Sequence, residues 1–264
     1  MTPFAALDER TTLARPDLAE QALEGLVRAT AFRAVEPAHC RVAVADVFAD
    51  ADKTAQRIDQ LIFGEAFDVL DQQGGFAWGR ARRDGSVGWV ATSALGRDAP
   101  LPTHRVAATG AALPLNALVH HIYCGVPAED LQPIGTFEAD PVAVAEGLLG
   151  TPHRLGARSS LATDCSGLVQ QALYACGLPG PRHSDQQAEV GRAVERSDLR
   201  RGDIVVWLAE PGHEWSGHSA LALDADRVIH ATGHHGGVVI EDLAEAEARY
   251  AADGFRSPVW RRLG

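Results

Sequence analysis

The stretch Thr163-Asp164-Cys165-Ser166-Gly167-Leu168-Val169-Gln170 decides how this chain reads. Leu168, Val169, Ala172, Leu173 and Cys176 fall on one helical face, and Gly177 followed by Pro179 ends the run, so a helix is predicted to start at Cys165. Thr163 or Asp164 is its natural cap. The first turn of a helix offers unpaired backbone N–H groups and the positive end of the dipole, both of which favour a thiolate. Cys165 is therefore a candidate nucleophile, and Ser166-Gly167 lets the backbone pack closely behind it. Taken alone, Asp-Cys-Ser-Gly fits a buried structural thiol equally well.

The residues downstream shift that balance. Beyond Gly202 the period changes to strands at 204–208, 218–223, 227–231 and 237–240. Helix first and antiparallel sheet afterwards is an α+β layout. His218 opens one strand and His230 closes the next, with Asp224-Ala225-Asp226 as the turn, which brings both imidazoles to one face of a hairpin. A thiol, a base and a third group that orients the base form the triad of nucleophilic catalysis. Cys165, His218 and His230 are the candidates.

Upstream, 141–149 reads as a helix and 150–163 as a loop rich in Gly, Arg and Ser. Residues 42–48, 60–70, 75–81 and 88–90 read as strands of a small barrel over 36–98, broken at Gly74-Gly75 and Asp84-Gly85. Leu18, Ala22, Leu23, Leu26 and Val27 have helical spacing, so 1–35 is expected to hold a short helix. Residues 99–140 are expected to form a second, reduced barrel, and 141–264 the remaining domain.

With 264 residues and roughly 150 per domain, about two domains are expected. The net charge of -11 repels phosphate backbones and anionic lipid, which argues against nucleic-acid or membrane partners. No apolar run approaches the roughly 20 residues that a bilayer requires. The N-terminal residues lack a basic segment followed by an apolar one, and a cytoplasmic location is the expectation. Four cysteines form no C-x-x-C pair, so free thiols are expected. His213, His218, His230, His234 and His235 follow no zinc-ligand spacing, and neither metal nor cofactor is expected.

Four motifs together resemble the NlpC/p60 cysteine peptidases over about residues 141–263. They are Thr163 to Gln170, Arg182-His183-Ser184-Asp185-Gln186-Gln187, Arg201-Gly202-Asp203-Ile204-Val205-Val206-Trp207, and Gly217-His218-Ser219-Ala220-Leu221 leading to Val228-Ile229-His230-Ala231. The preceding Phe76-Ala77-Trp78-Gly79-Arg80-Ala81, Gly88-Trp89-Val90 and Ser93-Ala94-Leu95 resemble a bacterial SH3-like domain. The fold implied is a papain-like α+β domain behind one or two small SH3-like β-barrels.

The resemblance implies that Cys165 is the nucleophile, His218 the general base and then acid, and His230 the residue that fixes His218. The family commonly has a Tyr 12 residues before the nucleophile that helps bind the oxyanion; here that position is His153. His153 is expected to donate in its place, or else to fill space in a weakened enzyme. Asp164, Ser166, Arg182, His183, Ser184 and Trp215 are the expected substrate-binding residues. Arg154, Arg158 and Arg182 in the bordering loops are candidates for clamping a carboxylate. His183 stands where recycling members often have Asp, and Glu65 or Asp84 are candidates for binding a substrate amine.

The implied activity is hydrolysis of the γ-D-glutamyl-diamino acid bond in peptidoglycan-derived peptides, L-Ala-γ-D-Glu-diamino acid, without a cofactor. Two alternatives are a noncatalytic protein that binds such peptides and an amidase or acyltransferase on the same fold. Cys40, Cys124 and Cys176 are expected in the core, and Trp78, Trp89 and Trp207 in core or interface positions.

Overall fold

A computed structural model describes residues 7–211 and 215–264 of the chain. The chain divides into two compact units, 1–103 with 117–124, and 104–116 with 125–264. In the first unit, β1 (Leu18–Glu20) pairs in parallel with β2 (Ala31–Arg33). The remaining strands are β3 (Glu36–Cys40), β4 (Val44–Phe48), β5 (Arg57–Ile62), β6 (Ala66–Gln73), β7 (Phe76–Ala81), β8 (Val87–Ala91) and β9 (Leu95–Gly96). They hydrogen-bond in the order β5-β4-β8-β7-β6-β3-β9. Alternate residues face one core: Ala45 and Val47 on β4, Phe67 and Val69 on β6, Ala77 on β7 and Val90 on β8.

Two expectations change here. The stretch 60–70 is two strands, because the chain turns over at 63–65. Glu65 fixes that turn: its Oε2 accepts the Ile62 N–H at 2.9 Å, and its backbone is tied to Ile62 and Cys40. The helix expected near the N-terminus is absent from the described residues; Gln21–Leu23 make a single 3-10 turn. Leu18 packs with Leu13, Trp78 and Trp89 in a second apolar cluster, and Gly25 takes φ +83°, so tertiary burial and a left-handed break override the helical spacing.

Residues 99–140 do not close a second barrel. The short strands there are β10 (His104–Val106), β11 (Leu118–Val119) and β12 (Leu131–Pro133), with β10 and β12 antiparallel. Residues 117–124 fall in the first unit and the flanking stretches in the second. A segment divided this way has no core of its own.

The second unit holds α1 (Pro141–Glu146), α2 (Cys165–Ala175) and α3 (Ser184–Gln187). They precede β13 (Arg192–Ala193), β14 (Ile204–Leu208), β15 (Gly217–Ala222), β16 (Arg227–Thr232), β17 (Gly237–Asp242), α4 (Leu243–Ala252) and β18 (Val259–Arg262). The sheet order is β13-β18-β14-β15-β16-β17. Its pleat serves two cores. Ile204, Val206, Leu221, Ile229 and Ala231 pack with Leu168, Val169, Ala172 and Leu173 of α2. Val205, Trp207, Ala220, Ala222 and Val228 pack with Leu243, Ala246 and Tyr250 of α4.

Helix α4 was not expected from sequence. Its signals are the cap Asp242, which accepts the Ala244 N–H at 2.9 Å, and apolar Leu243, Ala246 and Tyr250 at helical spacing. No helix of the described residues is long and apolar enough to cross a membrane.

Candidate active site

Helix α2 begins at Cys165, and Asp164 caps it. One oxygen of Asp164 accepts the Gly167 N–H at 2.8 Å and an Arg182 N–H at 3.0 Å. The other accepts the Gly156 N–H at 2.9 Å and Arg182 at 2.6 Å. Arg182 also donates to Ser166 Oγ at 2.9 Å. Burial opposes charge on Asp164, but Arg182 and the two amides outweigh it and hold the carboxyl below its ordinary range.

Gly167 is needed for contact: a Cβ there would stand 2.4 Å from the Ala157 carbonyl oxygen. The helix start is therefore pressed against the 156–158 loop. Gln187 of α3 adds a tie, donating to the carbonyls of Ser166 and Pro181 at 2.9 Å each.

This network corrects three assignments. Asp164, Ser166 and Arg182 are expected from sequence to contact substrate, yet Arg182 is 2% exposed and all three are buried and bonded to one another. Arg158 is likewise fully buried, which leaves Arg154 as the exposed arginine of the trio. A guanidinium held by a buried carboxylate is a support for the loop and not a clamp for a ligand.

The sulfur of Cys165 lies 3.9 Å from Ser184 Oγ and receives the backbone N–H of Ser219. Burial pushes the thiol up, with the charge of Asp164 adding to it, against the Ser219 amide, the Ser184 hydroxyl and Arg182. Burial thus works against the thiolate that the helix start favours, and the Ser219 amide and Ser184 hydroxyl work for it. The candidate base His218 precedes Ser219 on β15.

His218 and His230 meet as the hairpin requires, with His218 Nε2 at 3.0 Å from His230 Nδ1 and the rings edge to face. Register explains it. Leu221 pairs with Ile229, so His218 and His230 lie diagonally on the same face. Burial lowers the His218 pKa well below its usual value, assisted by the nearby His230, Arg249 and His153. Burial also lowers His230, against the attraction of Glu241. A neutral imidazole keeps one ring nitrogen able to accept a proton, which a general base requires.

Three residues of this assembly, Tyr250, Glu241 and Arg249, are not among the sequence-based candidates. Tyr250 of α4 stacks on His218 with centroids 4.3 Å apart, and Trp207 stands 5.8 Å from the same ring. Glu241 Oε2 lies 2.8 Å from His230 Nε2. Arg249 holds both oxygens of Glu241, at 3.1 and 2.6 Å. The available signal was the alternation of β17, which places Val239 and Glu241 on one face.

His153 is half-buried, its backbone N–H bonds the Gly236 carbonyl at 2.9 Å, and burial lowers its pKa. His183 is the half-buried N-cap of α3, and Ser184 is buried beside the sulfur. Trp215 is half-buried just before β15. Cys40 is buried, whereas Cys124 and Cys176 are only partly so; burial still pushes the Cys176 thiol up to about 11. Among the described residues no group of three His, Cys, Asp or Glu side chains could hold a metal ion, and His213 lies outside them.

The NlpC/P60 family matches residues 150–256, and the bacterial dipeptidyl-peptidase Sh3 domain matches residues 47–95. The murein DD-endopeptidase MepS/murein LD-carboxypeptidase of Escherichia coli K12 is 34% identical over 97 residues, which is 36% of this chain and 50% of that protein. The gamma-D-glutamyl-L-lysine dipeptidyl-peptidase of Bacillus subtilis 168 is 30% identical over 97 residues, covering 37% of this chain and 32% of that protein. The chain thus spans half or less of either relative's length. A crystal structure of an NlpC/P60 family protein from Bacillus cereus superimposes with a TM-score of 0.72 at 16% identity, over 86% of this chain and 99% of the other.

Residues 150–256, with the helix-borne cysteine and the paired histidines, are therefore an NlpC/P60 family domain, and it follows a bacterial dipeptidyl-peptidase Sh3 domain in the same chain.

Proposed function

We propose that this protein is a cysteine endopeptidase that hydrolyses the γ-D-glutamyl-diamino acid bond of peptidoglycan-derived peptides. The observation that carries the reading is the meeting of Cys165, at the start of α2, with the amide of Ser219 on β15, the strand that bears His218, whose ring meets His230 of β16. The name of the Bacillus subtilis relative supplies the bond class.

In the first step the Cys165 sulfur bonds to the carbonyl carbon while its proton passes to Nδ1 of His218. The oxyanion is met by backbone N–H at the start of α2 and by His153, whose lowered pKa keeps it a neutral donor. His218 then returns the proton to the leaving amine as the C–N bond breaks. Water, deprotonated by His218, attacks the thioester, and the proton goes back to sulfur as the acid leaves. His230 holds the base in place throughout, and no cofactor enters.

The test is incubation with L-Ala-γ-D-Glu-meso-diaminopimelate, free and N-acetylated, with products followed by mass spectrometry beside Cys165→Ala. Cleavage of the free peptide alone, lost in the variant, is the expected result and indicates a recycling endopeptidase with an end-group filter. Cleavage of both indicates wall remodelling. Tight binding without cleavage of either overturns the hydrolase reading in favour of a peptide-binding protein.

A further inference from the structure

Two neutral imidazoles joined by one hydrogen bond are indifferent to its direction. Either His218 donates from Nε2 to His230 Nδ1, or His230 donates from Nδ1 to His218 Nε2. Only the first leaves Nδ1 of His218 without a proton and able to accept one. Nothing in the pair itself selects it.

The selecting element lies on the next strand. His230 Nε2 is 2.8 Å from Glu241 Oε2, and an ionised carboxylate can only accept. Arg249 donates to both oxygens of Glu241, and His235 Nε2 lies 3.7 Å from Oε1. The side chain is 10% exposed. Reversing the chain would set the bare Nε2 of His230 against a carboxylate oxygen, two acceptors at contact with no proton between them.

We propose that Glu241 is a positioning residue: clamped by Arg249, it fixes the proton of His230 on Nε2 and that of His218 on Nε2, and so keeps Nδ1 of His218 free as the base. The inference rests on Cys165 and His218 being the reacting pair of the proposed function. It adds the element that gives the histidine pair a direction. Burial alone opposes charge on Glu241, but His230 and Arg249 prevail and keep it ionised.

The test reads ring tautomers directly, by nitrogen NMR of 15N-labelled protein at pH 8, with rings assigned through His218→Gln and His230→Gln. The wild type is expected to carry Nε2–H on both rings. In Glu241→Ala both rings become tautomer mixtures, alkylation of Cys165 by iodoacetamide slows about ten- to a hundredfold, the scale for removing a carboxylate behind a functional imidazole, and kcat falls alike at constant KM. Glu241→Gln, whose amide oxygen still accepts, is expected to restore the tautomers and most of the alkylation rate.

Nδ1–H on His230 of the wild type overturns the proposal, as do unchanged tautomers in a folded Glu241→Ala protein. A wild type with the expected tautomers, and their loss in Glu241→Ala, supports the relay even if no muropeptide is cleaved. In that case only the proposed substrate falls.

Discussion

Each unit buries a carboxylate against an arginine, and the two pairs do different work. In the first unit Glu65 is 1% exposed, accepts the Ile62 N–H at 2.9 Å and meets Arg83, 22% exposed, at 3.1 Å. In the second, Asp164 takes four bonds from Arg182, Gly167 and Gly156, and both side chains are nearly sealed from water. Glu65 sets a turn between two strands; Asp164 sets the first turn of a helix that begins with the proposed nucleophile. The same chemistry becomes part of a candidate site when one of the amides it accepts, that of Gly167, lies in the helical turn that Cys165 opens. Supporting charge can therefore be dry and fully paired, while the groups that react keep an open valence.

The variants that break this comparison differ in size. Cys165→Ala is expected to leave folding intact and to lower peptide turnover about 10⁴-fold or more, the scale for removing a nucleophile; a mass-spectrometric assay that finds residual turnover within tenfold of wild type removes Cys165 from the chemistry. Arg182→Ala strands a buried carboxylate and should cost about 3–5 kcal/mol of unfolding free energy, measured by urea denaturation, with turnover lost alongside. A loss below 1 kcal/mol would show that water reaches Asp164 and that the pair is not sealed. His153→Ala removes one oxyanion donor and is expected to lower kcat about a hundredfold with KM nearly constant. An unchanged kcat makes His153 a space-filling residue.

Arg83→Ala sharpens the contrast, because its partly exposed guanidinium can be replaced by water beside Glu65. About 1–2 kcal/mol is expected, and a loss as large as that of Arg182→Ala would erase the distinction. The pH dependence is the remaining effect. His218, His230 and His153 are all held below the ordinary imidazole pKa in the folded state, so the unfolded chain binds more protons. Their contribution is full above about pH 6.5 and is lost as pH falls toward the folded values. Each contributes a slope of at most about 1.4 kcal/mol per pH unit. Replacing His218 with Asn should flatten the fall of the urea midpoint between pH 6.5 and 5, and an unchanged slope would show that His218 is protonated in the folded protein.

Sequence alone located Cys165, because a cap, a small residue and an apolar helical stripe are all local signals. It also paired His218 with His230, because two strands joined by a short turn have little freedom of register. It missed α4 and therefore Tyr250 and Arg249, since Ala-Glu alternation carries little apolar signal and the helix is held by packing on Trp207. It placed Arg182 in the cleft, since a charged residue in a loop is read as exposed until its partner is known.

What the sequence by itself determined was thus the order of elements, the helix start and the hairpin, each set by interactions within about a dozen residues. The tertiary structure decided which charges were sealed and which way the histidine pair is polarised. Asp164 finds Arg182, and His230 finds Glu241, only when the loop after α2 returns to its start and β17 pairs with β16. A buried charge is stable only beside its counter-charge, so the partners of these groups are fixed by packing across the fold rather than by neighbours in the chain.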